Sequence, residues 1–240
     1  MGAHPDPEET AAFAAARSNV LSAVADACRR AERDPADVEL VAVSKTVPAA
    51  RLESAIAAGL TVLGENRVQE AESKAPQLSG ASWHLIGPLQ SNKARRAVEL
   101  FDVIETVDSA DLAVRLDRLA GEIGRAPLGV YLQVNVDRDE AKAGFLPEVL
   151  EAELAGLGAL PNLRLLGLMT VGRLVGSAEE ARPTFGRLRE LSERLRRAVP
   201  GPGLGAGLSM GMSDDYPEAV EEGATVIRIG RALFGTRPAE

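Results

Sequence analysis

The fold is decided by the stretch Leu40-Val41-Ala42-Val43-Ser44-Lys45, an apolar run that ends in a lysine and breaks at Pro48. A short apolar run of this kind predicts a buried β-strand, so Lys45 comes at the carboxyl end of that strand. A lysine there must lose part of its hydration, which lowers its proton affinity and makes its amine a nucleophile for a carbonyl group. The alternative is a lysine whose ammonium extends from the strand end into solvent, the commoner arrangement.

Seven further apolar runs follow the first one, and most are separated by helical patterns. The eight predicted strands are Leu40–Ser44, Thr61–Gly64, Ser82–Ile86, Val103–Thr106, Leu128–Val134, Leu163–Met169, Gly207–Met210 and Thr225–Ile229. Strands that alternate with helices pair in parallel through right-handed crossovers. Eight such units in 240 residues predict an α/β protein with a single TIM-type (β/α)8 barrel, which typically needs ~250 residues.

An Ala-rich segment from about Glu8 to Arg33 predicts an extra helix before the first strand, and residues 1–7 are expected to form a disordered tail. No linker divides the chain, so residues 1–240 are expected to form one domain. The competing fold is a doubly wound open sheet, which would place a Gly-rich phosphate turn after its first strand. The glycines cluster instead near the seventh and eighth strands, which favours the barrel.

Composition argues against several classes of protein. A formal net charge of -8 disfavours binding to nucleic acid or to anionic membranes, since both need a basic surface. No apolar stretch reaches the ~20 residues that span a bilayer. A single cysteine, Cys28, excludes an internal disulfide framework and fits a reducing compartment, so a cytoplasmic protein is expected. Neither Cys28 nor the two histidines, His4 and His84, has metal-ligand spacing, and no metal site is expected.

The carboxyl ends of the last two predicted strands indicate an anion site, since the chemistry of this barrel type collects at strand carboxyl ends. Gly211 and Gly230 let backbone N–H groups approach an anion, and Ser209 and Ser213 add hydroxyl donors. A short helix starting near Arg231 can direct its positive end toward the same place. The alternative is a pair of ordinary tight turns, for which Gly and Ser are common, and the residues alone favour neither.

Arg228 shares strand parity with Val226, so it points into the barrel if Val226 does. A guanidinium there keeps its proton and must find an acceptor, which suggests a donor to a ring nitrogen or to a phosphate. The alternative is an outward-facing arginine in an ion pair with a helix. His84 begins its strand and is expected to be a core histidine.

Several motifs, taken together and in order from about Leu40 to Gly235, resemble the pyridoxal phosphate homeostasis family. They are Ala42-Val43-Ser44-Lys45-Thr46, Gly64-Glu65-Asn66-Arg67-Val68-Gln69-Glu70, Trp83-His84-Leu85-Ile86-Gly87-Pro88-Leu89-Gln90-Ser91-Asn92-Lys93, Gln133-Val134-Asn135, Lys142-Ala143-Gly144, Gly167-Leu168-Met169-Thr170, Leu208-Ser209-Met210-Gly211-Met212-Ser213-Asp214-Asp215 and Arg228-Ile229-Gly230. Each motif is weak alone, and their combination is specific.

The resemblance implies a barrel of the alanine racemase N-terminal type, fold type III among enzymes of this cofactor, with pyridoxal 5'-phosphate held on Lys45 as an internal aldimine. It implies that Ser209, Ser213 and Gly230 hold the phosphate, while Arg228 faces the pyridine nitrogen and Asn66 lines the ring pocket. The cofactor-binding residues would thus be Lys45, Asn66, Ser209, Ser213, Arg228 and Gly230.

The resemblance does not decide the roles of three basic residues, Arg231, Lys93 and Lys142. Arg231 departs from the small Thr or Ser expected after the glycine, which removes a hydroxyl contact to phosphate and supplies a cation instead. Lys93 and Lys142 are either secondary lysines that handle the cofactor or solvated surface lysines.

An arginine at the pyridine nitrogen keeps that nitrogen unprotonated, so the cofactor is a weak electron sink. Racemases of the related fold add a tyrosine from a further domain; here the tyrosines are Tyr131, in a predicted strand, and Tyr216, in a loop. We therefore expect a carrier that supplies pyridoxal 5'-phosphate to apo-enzymes and in which no residue is catalytic. The carrier is expected to be a monomer or a weak dimer. The alternatives are a racemase or lyase that uses Lys45 as a base, and a barrel that binds another phosphorylated ligand without a covalent link.

Overall fold

Eight parallel strands close into a barrel in the computed structural model, which describes residues 5–172, 177–198 and 203–235. The strands are β1 Glu39–Val43, β2 Val62–Glu65, β3 Ser82–Leu85, β4 Val103–Val107, β5 Leu128–Gln133, β6 Leu163–Met169, β7 Gly207–Ser209 and β8 Val226–Ile229. Each strand pairs with the next one along the chain, and β8 pairs with β1 to close the ring. The predicted TIM-type barrel is confirmed, with strand ends that differ from the prediction by at most one residue.

Helices follow the strands and cover the outside of the barrel. They are α1 Pro7–Arg30, α2 Ala49–Ala57, α3 Val68–Lys74, α4 Ala94–Leu100, α5 Ala110–Ile123, α6 Pro147–Gly158, α7 Ala178–Ala198, α8 Tyr216–Glu221 and α9 Arg231–Phe234. Helix α5 shows how local sequence sets the ends: the Ser109 hydroxyl accepts from Leu112 N–H, and Gly124 closes the helix at a φ of 77°. Within the described ranges, no helix combines the length and apolar character that a bilayer crossing requires.

The predicted extra helix is α1, and ordered structure reaches further toward the N-terminus than expected. The Asp6 carboxylate caps α1 by accepting from Glu8 and Glu9 N–H, and Asp6 N–H donates to Ser54 Oγ at 2.9 Å. Residues 5–7, assigned to the disordered tail, are therefore part of the described fold, and residues 1–4 lie outside the described residues. The helix ends at Arg30 and not near Arg33.

The hydrophobic core has two parts. The larger part lies between the strands and the surrounding helices, and includes Phe101, Phe185 and Leu52 among the fully buried side chains. The smaller part fills the barrel interior with four residues from different strands, namely Val41, Tyr131, Met169 and Val226. Because side chains alternate along a strand, these residues show which parity points inward.

A helical glycine offers a way to stabilise the barrel without touching its site. Gly156 lies inside α6, and a Cβ atom added there would meet no atom within 4 Å. We expect Gly156→Ala to raise the free energy of unfolding by about 0.5–1 kcal/mol in urea titrations, because alanine reduces the conformational entropy of the unfolded chain. Gly124 is the matched control: it has equal space but a φ of 77°, so Gly124→Ala should destabilise. Equal effects of the two changes would contradict this reasoning.

Candidate functional site

Lys45 lies in the turn that follows β1, at the carboxyl end of the barrel. It comes two residues after Val43, the last residue of β1, and its side chain is partly buried. A cavity of about 320 Å³ opens there. Its lining residues come from β1, α2 and the connection between them, and from the segment after β8 that includes α9; they are Val43, Lys45, Thr46, Val47, Pro48, Arg51, Gly230, Arg231, Phe234 and Gly235. The structure thus brings Lys45 and Gly230 to one cavity, whose lining does not include Asn66, Ser213 or Arg228.

The backbone around Lys45 is held in an unusual conformation. Thr46 has a φ of 66°, a left-handed value that β-branched residues rarely adopt. Two hydrogen bonds hold it: Thr46 N–H donates to Glu70 Oε2 at 3.0 Å, and the Thr46 hydroxyl donates to the Lys45 carbonyl at 2.5 Å. A turn of this kind costs on the order of 1–3 kcal/mol and persists only where its surroundings determine it. The position of Lys45 is therefore fixed by its neighbours.

A buried charged cluster supports this turn from the outer side of β1. Lys74 Nζ donates to the Ser44 carbonyl at 3.0 Å and to Glu65 Oε1 at 2.8 Å, and lies 3.6 Å from Glu70 Oε2. The Ser44 hydroxyl donates to the same Glu65 oxygen at 2.7 Å. Burial raises the pKa of Glu65, and the hydrogen bond and charge of Lys74 oppose that rise. We call Ser44, Glu65, Glu70 and Lys74 the turn-support cluster.

The predicted anion turn forms where the loops after β7 and β8 meet. Gly230 N–H and Ala232 N–H both point to Ser213 Oγ, at 3.3 and 3.5 Å. Gly211 makes the approach possible with a φ of 93°, and a Cβ atom there would lie 2.6 Å from Ala219 Cβ. Two backbone donors that converge on one oxygen are what an anionic oxygen needs. Ser213 and Gly230 are therefore brought together as the sequence predicted.

Arg231 does not add a free cation to this turn. Its guanidinium forms an ion pair with Asp214 on the exposed side of the loop. The positive charge expected to replace a hydroxyl contact is thus already matched by a carboxylate.

Arg228 points into the barrel, as its parity with Val226 predicts. It is 5% exposed, and its guanidinium donates from Nη1 to Ser209 Oγ at 2.5 Å and from Nη2 to the Thr170 carbonyl at 2.8 Å. The alternative of an outward ion pair with a helix is wrong. Burial lowers the pKa of Arg228, and the charges of Glu105 and Asp215 oppose that change.

Ser209 is engaged by other side chains of the barrel. It is wholly buried, and its hydroxyl donates to Glu105 Oε2 at 2.5 Å while accepting from Arg228. Its one proton is therefore directed at a buried carboxylate and not at the anion turn. Ser209 belongs to the barrel interior below the anion turn.

Glu105 links Ser209 to His84 and was missed in the sequence reasoning. Its Oε1 lies 2.8 Å from His84 Nδ1, and the carboxylate is fully buried. Burial would raise the pKa of Glu105, but the hydrogen bond and charge of His84 and the charge of Arg228 outweigh it, so the pKa is lowered. The available signal was a charged residue inside the apolar run of β4. The prediction of a core histidine at His84 is confirmed, since it is 4% exposed.

Asn66 lines two other spaces, neither of which shares a lining residue with the Lys45 cavity. One is a cavity of about 280 Å³ that also contacts Thr170 and Lys142, and the other is an open cleft of about 840 Å³ that also contacts Lys93. The Lys142 ammonium donates to the carbonyls of Val171 and Gly172, at 3.2 and 2.6 Å. Lys142 is thus held at the barrel mouth by the backbone. Among the described residues, no three His, Cys, Asp or Glu side chains are placed to hold a metal ion.

The pair His84–Glu105 should make stability depend on pH. Burial would lower the pKa of His84, but the hydrogen bond and charge of Glu105, with smaller contributions from Glu39 and Asp102, raise it above 6.5. A raised folded-state pKa stabilises the fold fully below the unfolded pKa, and this contribution is lost as pH rises through the folded pKa. We expect the difference in unfolding free energy between the unchanged chain and His84→Gln to be larger at acidic than at alkaline pH. Urea titrations across this range test it, and a constant or widening difference would contradict it.

Comparisons with known proteins identify the family of the chain. The family model for the alanine racemase N-terminal domain matches residues 20–238. A pyridoxal phosphate homeostasis protein of Pseudomonas aeruginosa is 46% identical over 222 residues, covering 92% of this chain and 94% of that protein. One from Synechocystis is 44% identical over 207 residues, covering 85% of this chain and 93% of that protein.

Two solved structures share the fold of this chain. PipY of Synechococcus elongatus, whose structure has pyridoxal phosphate bound, is 45% identical with a TM-score of 0.83, covering 93% of this chain and 100% of that chain. An alanine racemase of Clostridium difficile is 17% identical with a TM-score of 0.67, covering 92% of this chain and 56% of that chain. The racemase shares the fold.

Proposed function

The chain belongs to the alanine racemase N-terminal domain family and, within it, to the pyridoxal phosphate homeostasis proteins, and from that membership we propose that it binds pyridoxal 5'-phosphate covalently at Lys45 and holds it for delivery. Amino acids are turned over slowly or not at all. The recipients are apo-enzymes that require this cofactor, in the reducing interior of the cell, and the carrier is a monomer or a weak dimer.

One observation carries this proposal: Lys45 and Gly230 line the same cavity of about 320 Å³. This volume lies in the usual range of about 300–1,000 Å³ for small-molecule sites. The two backbone N–H groups that converge on Ser213 Oγ suit a phosphate oxygen, and one of them belongs to Gly230, which lines the same cavity as Lys45. The residues present therefore fit an aldehyde with an anionic group.

When bound, the cofactor supplies an aldehyde carbon for an amine and an electron-withdrawing ring. Lys45 provides the amine, and its turn is fixed by Thr46 and the turn-support cluster. Gly230 and Ala232 offer N–H donors to the anionic end. Arg228 keeps its proton, so it offers the ring a hydrogen-bond donor and a fixed charge and does not act as an acid.

The positions of the tyrosines support a carrier. Tyr131 is 6% exposed and packs in the barrel interior with Val41 and Val226, where burial raises the pKa of its phenol. Tyr216 begins α8, and neither tyrosine lines the Lys45 cavity among the described residues. A racemase needs a second acid–base group opposite its lysine, and these phenols do not provide one.

The proposal is tested by adding pyridoxal 5'-phosphate to the purified chain, reducing with borohydride and mapping the labelled peptide by mass spectrometry. We expect visible absorbance that borohydride removes, and a label on Lys45. A colourless protein in excess cofactor, or a label only at Lys93 or Lys142, would contradict the proposal.

The racemase or lyase alternative needs a separate measurement. Chiral analysis of alanine and serine after incubation with concentrated protein should show no turnover at ordinary enzymic rates of about 1–1000 per second. Turnover at such rates would overturn the carrier assignment while leaving Lys45 as the point of attachment.

A further inference from the structure

A chain of four buried polar side chains crosses the barrel interior. It runs from His84 Nδ1 to Glu105 at 2.8 Å, from Glu105 to Ser209 Oγ at 2.5 Å, and from Ser209 Oγ to Arg228 Nη1 at 2.5 Å. All four side chains are at most 5% exposed. The residues come from β3, β4, β7 and β8, so the chain of contacts forms only when the barrel closes.

The direction of each hydrogen bond follows from the groups involved. A guanidinium only donates, so Ser209 Oγ accepts from Arg228. The single hydroxyl proton of Ser209 is then given to Glu105, which as a carboxylate only accepts. Arg228 Nη1 lies 3.9 Å from Glu105 Oε2, so Ser209 bridges a buried cation and a buried anion. The Thr170 carbonyl fixes the other terminal nitrogen of the guanidinium.

We propose that Ser209 and Glu105 are positioning residues that hold Arg228 in place for the cofactor ring, and that Ser209 is not itself a ligand of the phosphate, which the family resemblance assigns also to Ser213 and Gly230. This assignment rests on the proposed function and changes the role that the motif suggested for Ser209. Arginine side chains have many rotamers, and a guanidinium oriented before the ligand arrives loses less conformational freedom on binding. Charge pairing across the hydroxyl also makes an inward arginine tolerable in a buried site.

The assignment is tested by comparing pyridoxal 5'-phosphate with pyridoxal, which lacks the phosphate. For each variant, we take the ratio of the dissociation constant of pyridoxal to that of pyridoxal 5'-phosphate. This ratio isolates the part of the affinity that comes from the phosphate. We expect Ser209→Ala and Glu105→Gln to weaken both ligands by a similar factor, about tenfold, and to leave the ratio within about twofold of that of the unchanged chain. Ser213→Ala is the comparison on the phosphate side, and it should weaken mainly the phosphorylated ligand.

A spectroscopic signal separates positioning from a general loss of structure. With cofactor labelled with ¹⁵N in the ring, the nitrogen resonance should move in Ser209→Ala and Glu105→Gln and stay in place in Ser213→Ala. If Ser209→Ala weakens the binding of pyridoxal 5'-phosphate more than about threefold and leaves the binding of pyridoxal unchanged, Ser209 is a direct phosphate ligand and the assignment is overturned. Failure of the unchanged chain to bind either ligand would overturn the proposed function as well.

A measurement on the unchanged chain tests the assignment even if the substituted chains fail to fold. In the cofactor-free protein, the Arg228 guanidinium protons should appear as separate, slowly exchanging NMR signals, assigned by triple-resonance experiments on the isotope-labelled unchanged chain. Signals that appear only after cofactor is added would show that the guanidinium is not held in advance, and would overturn the assignment.

Discussion

Lys45→Ala is expected to abolish the borohydride-stable adduct with pyridoxal 5'-phosphate completely. The only amine that lines the cavity together with the Gly230 turn belongs, among the described residues, to Lys45. Under the proposed function, loss of this amine leaves only hydrogen bonds to the anion turn and to Arg228 to hold the cofactor. We expect the dissociation constant to rise by roughly a hundredfold or more, about 2.7 kcal/mol, measured by equilibrium dialysis and by the mass of the reduced protein.

Three variants make this result specific. Lys45→Arg keeps the positive charge but offers a guanidinium, which does not lose its proton, so it should also give no adduct. Lys93→Ala and Lys142→Ala remove lysines at the barrel mouth that do not line the Lys45 cavity, and both should keep the adduct at one per chain. Stoichiometric labelling of Lys45→Ala would show that another lysine carries the cofactor.

The barrel could be predicted from the sequence because its pattern is local. Each strand is a short apolar run bounded by turn residues. Such a run does not define the residue at which the strand ends, as β1 shows. The sequence predicts that Ser44 belongs to that strand, but the strand ends at Val43, because the Ser44 hydroxyl donates to Glu65 and the Ser44 carbonyl accepts from Lys74. Where an element ends depends on partners that local sequence does not show.

The same contrast holds for the site. Lys45, Gly230 and the inward direction of Arg228 follow from strand ends and strand parity, which are readable along the chain. The hydroxyl of Ser209 is different, because its partner Glu105 lies 104 positions away and on another strand. A motif gives the chemical type of a residue, whereas the choice between binding a phosphate and holding an arginine is made by tertiary contacts.

Lys74→Met is expected to lower the free energy of unfolding by about 3–5 kcal/mol, because it leaves the Glu65 carboxylate buried without its cation. Glu65 is 0% exposed, and its Oε1 accepts from both Lys74 and the Ser44 hydroxyl. Methionine has a similar length and no charge, so packing changes little. Urea or thermal unfolding of the variant and the unchanged chain measures the difference. Because Thr46 is held by Glu70 of the same cluster, cofactor binding at Lys45 should weaken as well.

Two controls separate the buried charge from simple loss of a lysine. The double variant Lys74→Met/Glu65→Gln should recover much of the lost stability, since a neutral amide keeps an acceptor for Ser44 and no longer needs a cation. Arg138→Met breaks the exposed pair of Arg138 and Glu148, joined at 2.8 and 2.9 Å, and should have little effect because surface pairs contribute little.

The pH dependence of Lys74→Met gives the sharpest check on this explanation. Burial already raises the pKa of Glu65 above 4.5, and Lys74 opposes that rise, so removing Lys74 raises it further. A carboxyl with a raised folded-state pKa binds its proton more tightly in the folded chain, so the stability of the variant falls as pH rises through that pKa. The deficit relative to the unchanged chain should therefore be small near the ordinary carboxyl pKa and full at alkaline pH. A deficit that is independent of pH would assign the effect of Lys74 to packing and not to its charge.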